Sequence, residues 1–170
     1  MRHNRILIVA FAAAGGLLVA ACGSDAEALS KAEFVEQANA ICQLSIDEAD
    51  PLFEAVWADF DDDTDWDDPA VQELIYVRFA AAMDDIKPIF DRQLDDIRAL
   101  EPPAEDKELI EALLDDQEAV LAQFVDLMEA AAGGDEVARA TIDNQDEDPF
   151  NDVDQRAREY GLTVCGSGGE

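Results

Sequence analysis

Three cysteines and one run of aspartates are the side chains here whose type and spacing could do chemistry. Cys22 ends the tetrapeptide Val19-Ala20-Ala21-Cys22, directly behind the apolar run Ile6 to Leu18. Small residues before a cysteine let the backbone enter a peptidase, and the thiol is free to take a diacylglyceryl group and further acyl chains such as palmitate. That is the pattern of a lipobox. Arg2 and Arg5 give the apolar run a basic flank, and the run is shorter than the roughly 20 residues a membrane span needs. The expected processing removes residues 1–21 as a signal peptide and leaves Cys22 as a lipidated first residue. The competing readings are an ordinary secretory signal with Cys22 placed by chance, or an uncleaved anchor. Two or three acyl chains hold a protein firmly where one does not. The expected location is therefore the extracytoplasmic face of the cell membrane, or an outer membrane if the cell has one, with residues 22–29 as a tether.

Cys42 and Cys165 remain. An even pair in an exported domain points to a disulfide, and free thiols are the alternative. The aspartates Asp61, Asp63, Asp65 and Asp67 alternate in an acidic loop, and oxygen ligands at that spacing suit calcium. The EF-hand template fails on them: with Asp61 first, Trp66 takes the glycine position and Gln72 the twelfth. These four residues are weak cation candidates, and a solvated acidic turn is the favoured reading. No cofactor is expected. The only histidine, His3, lies in the signal segment, so the mature chain lacks the imidazole of most zinc, copper and haem sites and of Ser-His-Asp or Cys-His catalysis. The expectation is a non-enzyme. Hydrolysis by carboxylates alone stays open, and would need a deep cleft holding two partly buried acids.

After removal of the signal, nine basic residues face 41 acidic ones, a formal charge of −32. Such a surface argues against nucleic acid and against flat docking on anionic lipid. It suits cations, a basic partner or a salty environment, and solvated helix faces are the simplest account of it.

The elements that must position these residues read as helices almost throughout. Ser30 and Glu33 have capping-box spacing, and Phe34, Ala38, Ile41, Cys42, Ser45 and Ala49 follow at three- and four-residue steps. Pro51 caps, restarts or kinks this helix. Asp68-Pro69 opens a second one, whose stripe from Val71 to Leu100 continues through Pro88, so a bend is expected there rather than an end. Pro102-Pro103 closes it. A third helix is expected from Pro103 or Ala104, carrying a stripe from Ile110 to Ala131, and Gly133-Gly134 stops it. Residues 135–141 read as a short helix, 143–148 as a polar link, and 149–160 as a last helix ended by Gly161-Leu162. Trp57 and Trp66 flank the acidic loop, either covering the end of the fold or exposed to a partner. Met83 and Met128 read as core fillers. Ser45 and Gln117 read as bundle polars that together could line a small central pocket.

The fold expected is all-α, an antiparallel up-down-up-down four-helix bundle over residues 30–166 with one disulfide and a flexible tail at 167–170. A last helix antiparallel to the first would end beside its early turns and bring Cys165 to Cys42.

Ala38-Asn39-Ala40-Ile41-Cys42 and Tyr160-Gly161-Leu162-Thr163-Val164-Cys165-Gly166 resemble small exported lipoproteins of actinobacterial type. These share an A-N-x-I-C opening and a G-L-x-x-C close around a helical middle, often with a P-P turn. The resemblance covers the ends of the domain well and the middle only by pattern, and Asp61 to Asp68 lies outside it. It implies a helical fold and a Cys42–Cys165 pair, and assigns no activity. Two functions from different classes are expected to compete. One is an envelope lipoprotein whose acidic bundle binds or assists another envelope protein or a cationic partner. The other is a cation- or solute-binding lipoprotein associated with a transporter.

Overall fold

A computed structural model of the protein describes residues 28–143 and 149–166. Residues 1–27, where the expected signal peptide, Cys22 and most of the expected tether fall, and residues 144–148 and 167–170, where the expected link and tail fall, lie outside the described residues. Among those described there are five helices and no strand: α1 Lys31–Trp57, α2 Pro69–Arg98, α3 Lys107–Ala132, α4 Glu136–Asp143 and α5 Asn151–Tyr160. The all-α class and the Cys42–Cys165 disulfide are as the sequence reads.

Local chemistry sets the boundaries. The Ser30 side chain accepts from the Glu33 backbone N–H at 3.4 Å, and the Glu33 carboxylate accepts from the Ser30 N–H at 3.0 Å and its hydroxyl at 2.6 Å. Those bonds favour the ionised carboxylate, so the Glu33 pKa lies below its ordinary value. Asp68 Oδ1 accepts from Ala70 N at 2.8 Å, with Pro69 at the first helical position. Pro51 and Pro88 both lie inside continuous helices. Each removes one backbone donor, but the buried stripe runs on through both sites and holds the helix together.

Three elements differ in their bounds from expectation, the short helix running Glu136–Asp143 rather than 135–141. The third helix starts at Lys107, not at Pro103 or Ala104, because residues 103–106 close a separate turn, Asp106 N to Pro103 O at 2.9 Å. Asp106 gives its N-terminus no side-chain cap; its carboxylate accepts instead from the Tyr160 hydroxyl at 2.8 Å. The last helix starts at Asn151 rather than Pro149. Gly134 (φ +88°), rather than Gly133, takes the left-handed position after α3, and Gly161 (φ +118°) takes it after α5.

α2 lies between α1 and α3, and α3 also carries α4 and α5. Contacts pair the elements in opposite chain order. Arg92 meets Glu48 while Arg78 meets the Val56 carbonyl across α1 and α2, and Arg98 meets Asp115 and Glu118 while Phe79 meets Phe124 across α2 and α3. The core is built from Phe34, Ala38 and Cys42 with Leu94, Ile97, Ile110, Leu114, Val153 and Leu162. Met83, Ile86, Leu121 and Val125 continue it, and Tyr76, Met128, Ala131 and Ala138 close the other end. Both methionines are thus buried among apolar neighbours.

All nine basic residues that follow Cys22 are engaged. Seven form ion pairs, Lys31 sits 3.9 Å above the Tyr160 ring, and Arg158 donates to the Gly166 carbonyl. The acidic excess is left on the surface without bases to offset it.

Candidate functional site

A cavity of about 240 Å³ lies inside the helices. From α1 it takes Cys42, Ile46, Ala49, Asp50 and Phe53; from α2, Met83, Phe90, Gln93 and Leu94; from α3, Gln117, Leu121 and Phe124. Phe150, Asp154, Val164 and Cys165 complete it. The disulfide forms part of this wall, and Phe124 and Phe150 meet edge to face with ring centroids 5.7 Å apart.

Few polar groups enter the lining. Asp50 is exposed, Asp154 is buried, and Gln117 is half-buried. Gln93 is 7% exposed, and its Oε1 accepts no hydrogen bond among the described residues. An unpaired buried acceptor costs roughly 1–3 kcal/mol, so this atom weakens the fold wherever nothing donates to it. No lysine, arginine or histidine is in the lining.

The sequence reads Gln117 and Ser45 as bundle polars that could together line a pocket, and of the two only Gln117 is in the lining. Ser45 is buried but is not in the lining. Gln93 was missed, although its signal was present: it continues the α2 spacing Ile86, Phe90, Gln93, Ile97, the same polar-on-stripe pattern that singled out Gln117.

The disulfide closes the site at one end, with a Cα–Cα distance of 5.1 Å. Asn39 organises this end. Its Nδ2 donates to the Gly161 carbonyl at 3.2 Å, and its Oδ1 accepts from Val164 N at 3.0 Å. One side chain thereby binds the returning chain on both sides of buried Leu162, three residues before the cysteine of α1. Phe34 meets the edge of Tyr160 at 6.2 Å alongside it. The two terminal motifs are therefore the two halves of one clasp. Gly166 passes so close to Asp154 that a Cβ would stand 2.5 Å from that residue's carbonyl oxygen.

The acidic loop lies at the other end of α1. Asp61 Oδ1 accepts from Asp63 N and Thr64 Oγ1, and Asp65 Oδ1 accepts from Asp67 N. These carboxylates hold local turns. Among the described residues no three His, Cys, Asp or Glu side chains gather where they could hold a metal ion, so Asp61, Asp63, Asp65 and Asp67 are not brought together as a ligand set. Trp57 packs on Phe79 and Phe60, and Trp66 on Phe60, while the two indoles stay 44% and 48% exposed. They cover this end of the fold and also present an aromatic face to solvent.

Two hydroxyls carry shifted acidity. Burial and the hydrogen bond to Asp143 (2.6 Å) push the Tyr76 pKa up to about 12. Burial and Asp106 push that of Tyr160 further up. In each case the neutral phenol donates to a carboxylate, which is a structural arrangement rather than an activated nucleophile.

No helix among the described residues is long and apolar enough to cross a membrane. Comparison of the chain with family models, curated proteins and solved structures yields no match.

Proposed function

We propose that the protein is a cell-envelope lipoprotein, held by lipid on Cys22 at the extracytoplasmic face of the cell membrane, whose acidic helical domain is a non-enzymatic binding or accessory module. The observation that carries this reading is the placement of Cys22 behind the basic flank, short apolar run and small residues of the N-terminus. The Cys42–Cys165 bond supports it, because such bonds persist in the oxidising compartments that export reaches.

The domain is read as an up-down-up-down bundle in which α1, α2 and α3 are the long members, α5 is the short fourth, and α4 is an insertion. The opposite-order contacts and the meeting of Tyr160 with Phe34 support that arrangement. Leu29 N donates to Glu101 O at 2.8 Å, so the tether departs beside the α2–α3 turn. A 27-residue α1 spans about 40 Å. On this reading Trp57, Trp66 and the acidic loop are the part held furthest from the membrane, where an envelope protein or a cationic partner would meet them.

Replacing Cys22 by Ala tests the anchor: the protein should leave the membrane fraction. Retention of the variant in washed membranes would favour an uncleaved apolar anchor.

The second reading, a solute-binding lipoprotein associated with a transporter, is favoured by the cavity and its unpaired Gln93. Cations alone are a poorer fit, since the described acids do not cluster.

A further inference from the structure

The long helices leave room between them. Among the described residues α1 and α3 each pack closely on α2 and make no close backbone approach to each other. α5, which brings Asp154 to the wall, is 10 residues long beside their 27 and 26. The cavity is space that this arrangement leaves unfilled. Apart from Asp50, Gln93, Gln117 and Asp154, its lining is apolar. Phe53, Phe90, Phe124 and Phe150 line it while only half-buried, which leaves ring surface for an occupant to cover. Met83 adds a thioether, which packs well against ring edges.

The lining disfavours charge of either sign. No base stands there to hold an anion, and the negative field of the domain repels one. For a cation, the buried carboxylate of the lining, Asp154, already has a partner, and Asp50 is exposed to water. An ion taken into an apolar enclosure without a partner of its own pays a large desolvation cost. Size narrows the choice further. At about 240 Å³ the cavity is about 1.6 times the roughly 150 Å³ that holds benzene dry. A body of about ten ring carbons keeps that proportion to benzene. Phenylalanine walls favour flat rings, and a flexible chain of similar hydrophobicity loses more freedom on binding.

We propose that this cavity binds a small uncharged aromatic compound the size of two fused rings. The proposal deepens the solute-binding reading and rests on it, and it does not depend on the lipid anchor.

The test uses the protein extracted from membranes, placed in phosphatidylcholine nanodiscs with isotope-labelled methionine methyls. Two methionines follow Cys22: Met83 lines the cavity, and Met128 is buried in the core outside it. Titration with naphthalene should move the Met83 methyl resonance saturably by ring current and leave Met128 nearly in place. Partition into the lipid does not produce that contrast. The same rings carrying charge, 2-naphthoate and 2-naphthylmethylammonium, should each bind at least tenfold more weakly. 1-Octanol, an uncharged chain, should need at least fivefold more to displace naphthalene. Ala49→Leu, which fills the cavity from α1, should weaken naphthalene at least tenfold, and Phe90→Leu, which removes one ring wall, about fivefold. The Met128 resonance and helix content check that each variant folds; if Ala49→Leu does not, Phe90→Leu decides. Undiminished binding to the folded variants overturns the proposal by placing the ligand outside the cavity. If a charged probe or 1-octanol binds as tightly as naphthalene and the variants weaken it, the uncharged-ring assignment falls while the solute-binding reading stands. If no probe moves or occupies the Met83 site, both fall.

Discussion

Reducing the Cys42–Cys165 bond is the perturbation whose size follows most directly from the chain's geometry. The cysteines are 123 residues apart in sequence, so the bond ties nearly the whole domain into one loop. The loop-entropy relation gives about 5 kcal/mol at 25 °C for a loop of that length, toward the upper end of what single native bonds contribute. In a domain of this size one kcal/mol moves the melting temperature by roughly 3–5 °C. Reduction should therefore lower it by about 15–25 °C. Residues 22–170, formally −32, repel one another and expand when unfolded, which makes the loss of the tie more costly. The assay is thermal unfolding of the mature protein followed by helix signal, with and without reductant, and repeated on Cys42→Ala with Cys165→Ala. The reduced protein and the double variant should agree. A shift under about 3 °C would refute the reasoning and assign the clasp to Asn39 and Leu162 alone.

Asn39→Ala removes both bonds to the returning chain and should cost about 1–3 kcal/mol in urea unfolding; a loss under half of that would mean the motif asparagine is not the clasp. Raising salt from 0.01 to 0.15 M shortens the screening length from about 30 to about 8 Å. The ten ion pairs among the described residues weaken as it does, but the acidic excess is far larger, so the melting temperature should rise, and a fall would put the ion pairs in control. The folded-state pKa of Tyr76, about 12, lies above the ordinary value of 10. Its stabilising contribution is complete below pH 10 and is lost as pH rises from 10 toward 12. Tyrosinate absorbance should therefore show no step near pH 10 while the helices persist, and both tyrosines should titrate normally in denaturant.

Much of the fold was legible because helix ends are local chemistry. Ser30 with Glu33, Asp68 with Pro69, and Gly133-Gly134 carry their own instructions, and the stripe that ran through Pro88 foretold a continuous helix, whereas Pro51 left a restart or a kink equally open. The start of α3 was not legible. Its acidic first turn reads as a dipole-favoured beginning, yet Asp106 is claimed by Tyr160, 54 residues away, and only the tertiary contact decides between them. Tyr76 falls on the spacing Tyr76, Phe79, Met83, Ile86, but as a residue that tolerates either side it carries little weight until Asp143 is seen beside it. Asn39 was visible as part of a pattern without a role. Spacing along one helix cannot show that a side chain grips the backbone more than 120 residues later. The cavity was half legible, with Gln117 placed and Gln93 overlooked, because a pocket depends on what three helices and the returning chain leave unfilled.

The central claim is the acylated Cys22, and intact mass spectrometry of the protein extracted from membranes tests it most directly. The account predicts a chain beginning at Cys22 and heavier than its sequence by a diacylglyceryl group, with or without a further acyl chain. A chain of bare sequence mass, or one that retains residues 1–21, would contradict it.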